Sequence, residues 1–199
     1  MHRPFSRRRF LGVLAAGSIL ATVRPALATG RSAPSLLDHA RRELTRLGDA
    51  IPRRDVVGIA DYSLASAEPR FHLVDMNSGA VRSFLVSHGR GSDPAHLGFV
   101  QRFSNAPGSN ASSEGAYRTS DYYSGRHGRS MRLVGLDATN CNAEQRAIVV
   151  HGAWYVSPAM VRERGVLGRS QGCFAFAEAE LDTILTRLGP GRLLISTKL

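Results

Sequence analysis

The sequence predicts a mainly β domain with a few helices, on three observations. Short runs of apolar and β-branched residues recur through the chain between turns rich in Gly, Pro, Asn and Ser. Only two stretches carry a helical apolar period, and beyond residue 28 no stretch approaches the ~20 apolar residues of a membrane helix. With 199 residues and 43% hydrophobic composition, the chain suits a single globular domain with its own core.

The opening residues read as a targeting segment rather than as structure. Ser6-Arg7-Arg8-Arg9-Phe10-Leu11 resembles a twin-arginine export signal, residues 12–23 are apolar but too few to span a bilayer, and Ala26-Leu27-Ala28 is a small-x-small cleavage site. The expected organisation is a signal peptide at 1–28, a helical segment at 29–55 and the main domain at 56–199. Export to the periplasm or cell envelope follows, with no stable membrane span once the signal is removed.

Residues 36–47 form the first helical pattern, with Leu36, Leu37, Ala40, Leu44 and Leu47 on one face and Gly48 as its stop. Strand patterns follow at 56–60, 70–75 and 80–86, the last two joined by Asn77-Ser78-Gly79 as a hairpin. Residues 89–113 are rich in Gly, Ser, Asn and Pro. So long an irregular segment in a compact domain predicts a loop system bordering a substrate groove. Further strands are predicted at 116–119, 131–136, 147–150 and 192–197, and a second amphipathic helix at 177–188, ended by Gly189-Pro190. Such a series predicts mainly antiparallel pairing.

Charge excludes one class of partner. The formal charge is +10, but five of the 26 basic residues lie in 1–28, where there is no acid; the remainder carries 21 basic against 16 acidic side chains. That modest excess favours encounter with anionic polymers and membrane surfaces and gives no nucleic-acid signature, since no Lys/Arg run is interleaved with aromatics.

Chemistry concentrates in residues 148–176. His151 closes an apolar β-type run, and Cys173 follows 22 positions later, after Gly172. A free thiol is mostly protonated at neutral pH, so a nucleophilic cysteine needs a base, and imidazole is the usual one. Gly172 permits a tight turn that aims main-chain N–H groups at a carbonyl oxygen under attack. On spacing alone, a core cysteine and a strand-end histidine explain the pair equally well. Two other His-Gly pairs, at His88 and His127, lie in polar, glycine-rich surroundings and are expected to line the groove, with His127 a candidate for substrate contact. His88, Asp93 and His96 could be written as a zinc site, but the H-E-x-x-H spacing and a closed Cys/His set are missing, so no metal or other cofactor is expected. The papain-like string around Cys173 fails too, because only 26 residues follow it and none is His. Cys141, in a polar string with no glycine turn, is read as incidental.

At these residues the sequence resembles a known family. V-H-G-A-W-Y-V-S at 150–157 and G-V-L-G-R-S-Q-G-C at 165–173 look like the L,D-transpeptidase catalytic-domain family of bacterial cell-wall enzymes. Three further stretches match: SHGRGSDP from Ser87, FSNAPGSNASSEGAY from Phe103 and YSGRHGRSMRLVGL from Tyr123. The similarity is to the murein branch in which the residue between Ser and Gly-Cys is not histidine. Here it is Gln171, which cannot act as a base, and Phe174-Ala175 replaces the polar tail.

The resemblance implies a β-sandwich or barrel-like catalytic fold and a cysteine-dependent L,D-transpeptidase acting on peptidoglycan stem peptides. It assigns Cys173 as nucleophile, His151 as base, and the N–H groups of Gly172 and Cys173 to the oxyanion. Ser170 is expected to orient the loop, Arg169 to meet a substrate carboxylate, and Trp154 with Tyr155 to wall the groove. A tetrapeptide stem would acylate the cysteine and pass to an amine, giving a 3-3 cross-link, or to water in a carboxypeptidase side reaction. Two other classes stay open from the sequence: a metal-dependent wall peptidase, which a chelator would stop, and a non-catalytic peptidoglycan-binding module, which would form no adduct at Cys173.

Overall fold

The unbroken apolar run after residue 55 forms β1 (Val56–Asp61), a strand buried along its whole length. The structure of the protein, a computed structural model, describes residues 32–199, so the expected signal segment lies outside the described residues. A strand buried on both faces needs two partners, and β1 has them. Val57 and Ile59 pack with Leu36, Ala40 and Leu44 of the first helix, α1 (Ala33–Leu47), while Val56 and Ala60 face a second cluster holding Phe71, Phe176, Ile184, Leu185 and Leu188. Each Val, Leu, Ile or Phe side chain among these contributes about 1.5–3 kcal/mol when fully buried.

From β1 the sheet extends both ways. On one side β1 pairs antiparallel with β2 (Phe71–Asp75), which pairs with β3 (Val81–Phe84) across the expected hairpin. Asp75 holds that turn by accepting the N–H groups of Asn77 and Ser78. On the other side β1 runs parallel to the last strand, β8 (Leu193–Thr197), followed by β4 (Gly115–Gly125), β5 (Gly128–Gly135), β6 (Val149–Gly152) and β7 (Phe174–Phe176). Pairing is antiparallel except at β1/β8 and β6/β7.

The order β3-β2-β1-β8-β4-β5-β6-β7 puts β2 and β7 far apart in the sheet, yet the rings of Phe71 and Phe176 meet edge to face with centroids 4.7 Å apart. Just beyond β3, the Ser87 N–H donates to the Ala175 carbonyl of β7, and Gly89 bridges Ser170 in parallel. The sheet therefore curls until its two edges meet, which is the barrel-like form that the family resemblance implied. The helix α3 (Glu178–Leu188) caps the core with Ile184, Leu185 and Leu188.

Three features go beyond the sequence reading. The strands β4 and β5 continue outward to a hairpin tip at Gly125 and Gly128, with a one-residue bulge between Thr119 and Tyr122. The outer half of β4 is largely exposed, so no alternating pattern marks it. The helix α2 (Pro158–Arg164), capped by Ser157 accepting the Met160 N–H, buries none of its side chains and so shows no apolar period. The three-residue strand β7 is too short to read locally. Residues 89–113 hold only one turn of 3₁₀ helix, at Arg90–Ser92, and are cross-braced by Ser92 and Ser112. Among the described residues no helix is long and apolar enough to cross a membrane.

Candidate active site

The parallel pairing of β6 with β7 brings the two reactive side chains together. His151 is the register partner of Ala175, and Val150 that of Phe174. Side chains alternate along a strand, so Val150 and Phe174 enter the core while Val149, His151 and Cys173 turn to the opposite face. There they line a cavity of about 560 Å³. Tyr123, Arg126 and His127 of the β4–β5 tip, Arg146, Tyr155, and Arg169 to Gln171 also line it, with Pro107, Gly108 and Asn110.

His151 is 2% exposed, and its Nδ1 lies 2.8 Å from the Gly152 carbonyl. A carbonyl only accepts, so Nδ1 carries the proton and Nε2 is the basic nitrogen of the neutral ring. Burial lowers the imidazole pKa below the usual 6.5; the Gly152 hydrogen bond pulls the other way, and His127 and Arg126 lower it further. The His127 ring stacks on that of His151, with centroids 4.2 Å apart.

The Cys173 thiol donates to the Ala147 carbonyl at 3.5 Å rather than to an imidazole. Burial raises the thiol pKa, opposed by a main-chain hydrogen bond at Val149 and the positive charge of Arg146. The resting sulfur is thus a protonated thiol, and attack requires a base at the moment of reaction. Ala147 itself has φ 52°, an uncommon conformation for a residue with a Cβ, at the position whose carbonyl meets the sulfur.

The turn bearing the thiol is held from within. Ser170 Oγ donates to the Cys173 carbonyl at 2.7 Å and accepts the Gly172 N–H at 3.1 Å. That N–H, expected to face an oxyanion, is therefore occupied in this arrangement. Gly172 has φ 117°, and a Cβ there would stand 2.7 Å from the Ala111 carbonyl oxygen, so only glycine fits. Ser170 also exchanges main-chain hydrogen bonds with the neighbouring segment, its N–H to His88 O and its carbonyl to Arg90 N, both at 2.9 Å. A Cβ on Gly89 would lie 2.3 Å from Asn110 O, so this contact too depends on glycine.

Behind that segment lies a buried polar chain. Arg70 Nη2 donates to His88 Nδ1 at 2.7 Å, which leaves His88 Nε2 to donate to Asp93 Oδ2 at 3.3 Å. All three residues are at most 1% exposed. Asp93 also accepts the N–H groups of Leu97 and Gly98. Burial first, then the Arg70 charge, pushes the His88 pKa down to about 3, so the ring is neutral. His88 was expected in the groove; it is instead a buried strut, because Arg70 and Asp93 satisfy both its nitrogens. His96 leaves this group and donates to the Leu167 carbonyl at 2.8 Å. Among the described residues, no three His, Cys, Asp or Glu side chains gather as a ligand set.

Other expected residues divide. Tyr155 lines the cavity, its phenol pushed up to about 12 by burial and then by the nearby Cys173. Trp154 is 72% exposed, outside the cavity lining, and packs edge to face on Tyr155. Arg169 is on the wall, and its Nη1 donates to the carbonyls of Asp93 and Pro94. Sequence reasoning missed Arg146, whose guanidinium reaches Ser104 O, Ser109 Oγ, Ser113 Oγ and Ala111 O and so ties the 104–113 loop to the cavity wall. It lies in a polar string without pattern, and no local signal marks it. Arg126 was legible only as part of the Gly-Arg-His-Gly string. Cys141 is exposed and free, beside Asn105.

A family model described as the L,D-transpeptidase catalytic domain matches residues 30–196. Among solved structures, the chain is similar to an L,D-transpeptidase from Mycobacterium smegmatis, with 15% identity, TM-score 0.42, and coverage of 71% of this chain and 58% of that one. It is similar also to an L,D-transpeptidase from Mycobacterium tuberculosis (16% identity, TM-score 0.45, 71% and 57% covered). A third is L,D-transpeptidase 3 from the same organism in complex with a faropenem-derived adduct (14%, 0.45, 72% and 60%). The chain spans less than two-thirds of the length of each. No curated protein matches it.

Proposed function

Because the chain belongs to the L,D-transpeptidase catalytic-domain family, we propose that it is a cysteine-dependent peptidoglycan L,D-transpeptidase. It acts in the cell envelope on tetrapeptide stems. The observation that carries this reading is the face shared by Cys173 and His151 in one cavity, with the Nε2 of His151 as the basic nitrogen.

Turned from the Ala147 carbonyl, the thiol gives its proton to His151 Nε2. The sulfur attacks the carbonyl between the L-centre of the third residue and the D-alanine at the fourth. The C–S bond forms, the C–N bond breaks, and His151 returns the proton to the leaving amine. The Gly172 N–H is engaged by Ser170, so the oxyanion falls to the Cys173 N–H, with Gly172 supplying the turn and Ser170 its rigidity. An amine of a second stem then takes the acyl group and gives a 3-3 cross-link; water gives a shortened stem. Tyr155, His127 and Arg169 face the bound peptide, and Trp154 extends the wall outward. The twin-arginine pattern at residues 6–11 supports export.

The test is incubation with tetrapeptide muropeptides, followed by mass spectrometry of products and intact enzyme. D-alanine release with an acyl adduct on Cys173 is expected. Release that survives Cys173→Ala and stops with a chelator would put a metal peptidase in its place; binding without release or adduct would leave only a wall-binding module.

A further inference from the structure

The cavity is one-sided in charge. Its lining holds three arginines, Arg126, Arg146 and Arg169, and two histidines, with no aspartate or glutamate among them. Uncompensated positive charge on a concave wall favours an anion, and the planar guanidinium matches a carboxylate in particular.

The three arginines are not equivalent. Arg146 spends its donors on main-chain and serine oxygens of the 104–113 loop, and Arg169 directs Nη1 at two main-chain carbonyls. Arg126 has no hydrogen-bond or ion-pair partner among the described residues, although two other exposed arginines of the same hairpin are engaged, Arg129 with Asp182 and Arg132 over the Tyr123 ring. The hairpin tip that carries it is nonetheless held. Arg126 and His127 are the two residues joining the register pair Gly125 and Gly128, and His127 rests on the buried ring of His151. The stack therefore anchors the hairpin tip, and with it an unspent guanidinium, at the edge of the cavity above the proposed base.

We infer that Arg126 is a carboxylate-recognition residue, and that the protein selects peptides bearing a free carboxylate close to the scissile bond over the same peptides amidated there. The inference rests on the transpeptidase reading for the identity of the peptide. In a tetrapeptide stem such a carboxylate has two sources: the terminal carboxylate of the departing residue, and the side-chain carboxylate of the diamino acid whose carbonyl is attacked. A carboxylate on Arg126 also offsets the positive charge beside His151, so binding and protonation of the base act in the same direction.

The experiment measures binding rather than turnover. Using the folded Cys173→Ala protein, affinity is determined by calorimetry for the free-acid tetrapeptide, for the two single amides and for the double amide, with Arg126 intact and as Arg126→Gln. One of the single amides is expected to bind about tenfold more weakly than the free acid, the scale of one charge-assisted hydrogen bond. In Arg126→Gln that difference should vanish, and Arg126→Lys should restore part of it; which amide carries the loss identifies the source. A penalty that persists undiminished in Arg126→Gln overturns the proposal, as does equal binding of acid and amides to the protein with Arg126, or no binding of the free acid. Catalysis is followed separately in the protein with Cys173 intact. Absence of D-alanine release there, with the Arg126-dependent penalty present, would sink the transpeptidase reading and leave the carboxylate site standing.

Discussion

The ring of His127 lies over that of His151, centroids 4.2 Å apart and planes inclined by 22°. One imidazole comes from the tip of the β4–β5 hairpin and the other from strand β6, so the proposed base is covered by a residue 24 positions earlier in the chain. Burial of His151 beneath this cover, and the nearby His127, both lower the His151 pKa. Replacing His127 by Ala should raise the His151 pKa by both effects. The acid limb of Cys173 acylation is expected to move to higher pH than in the parent protein; a stopped-flow pH profile that does not move would show that the stack leaves the base unaffected.

His151→Gln removes the base while keeping a polar side chain. Acylation should fall by about 10² to 10⁴, the usual range for a general base. The pH profile is as informative as the rate. With His151 lowered from 6.5 and Cys173 raised from 9.0, the reactive pair of neutral imidazole and protonated thiol persists between those values. Activity should fall only below 6.5 and above 9.0 in the parent protein, and the variant should lose the acid limb.

A carbapenem is a strained acyl donor that tests the nucleophile directly. Intact-mass measurement should show one adduct on the parent protein and none on Cys173→Ala. Cys141→Ser should label as the parent does, since Cys141 lies outside the cavity lining. Adduct formation without Cys173 would move the nucleophile elsewhere.

Ser170 is predicted to matter for rate more than for stability. Ser170→Ala removes both hydrogen bonds that shape the Gly172–Cys173 turn. Each is worth about 0.5–1.5 kcal/mol. The loss of stability should be about 1–3 kcal/mol by denaturant titration. Carbapenem acylation should slow at least tenfold, because the sulfur and the Cys173 N–H are no longer held in place. Unchanged acylation in the folded variant would leave Ser170 as a packing residue only.

Acid stability should depend on His88. Its folded-state pKa, about 3, lies below the ordinary 6.5, so the unfolded chain binds a proton that the folded chain excludes. Stability is therefore lost as pH falls below 6.5. His88→Gln offers an acceptor to Arg70 and a donor to Asp93 without titrating there. It should be less stable than the parent at pH 7, and its stability should decline less between pH 7 and 5. Parallel declines in the two proteins would shift the acid sensitivity to His72 or His151, whose pKa values are also lowered by burial.

Elements with a local cause were legible in the residues. A continuous apolar run made β1, helical periods made α1 and α3, and Asn77 to Gly79 made the β2–β3 turn. The sequence also brought the Gly-Cys pair forward as a candidate, which the family resemblance, rather than residue type alone, favoured over a core cysteine. Which groups surround that thiol follows from strand register and the closing of the sheet. The parallel register of β6 and β7 sets His151 and Cys173 on one face, and the bulge-containing hairpin carries Arg126 and His127 to the same cavity. Arg70, His88 and Asp93 meet as one buried chain, and Arg146 reaches back over 33 to 42 residues to brace a loop. Local patterns record only which side of an element is apolar. Register between distant strands, and the pairing of polar groups that burial enforces, are settled when the sheet curls and its edges meet.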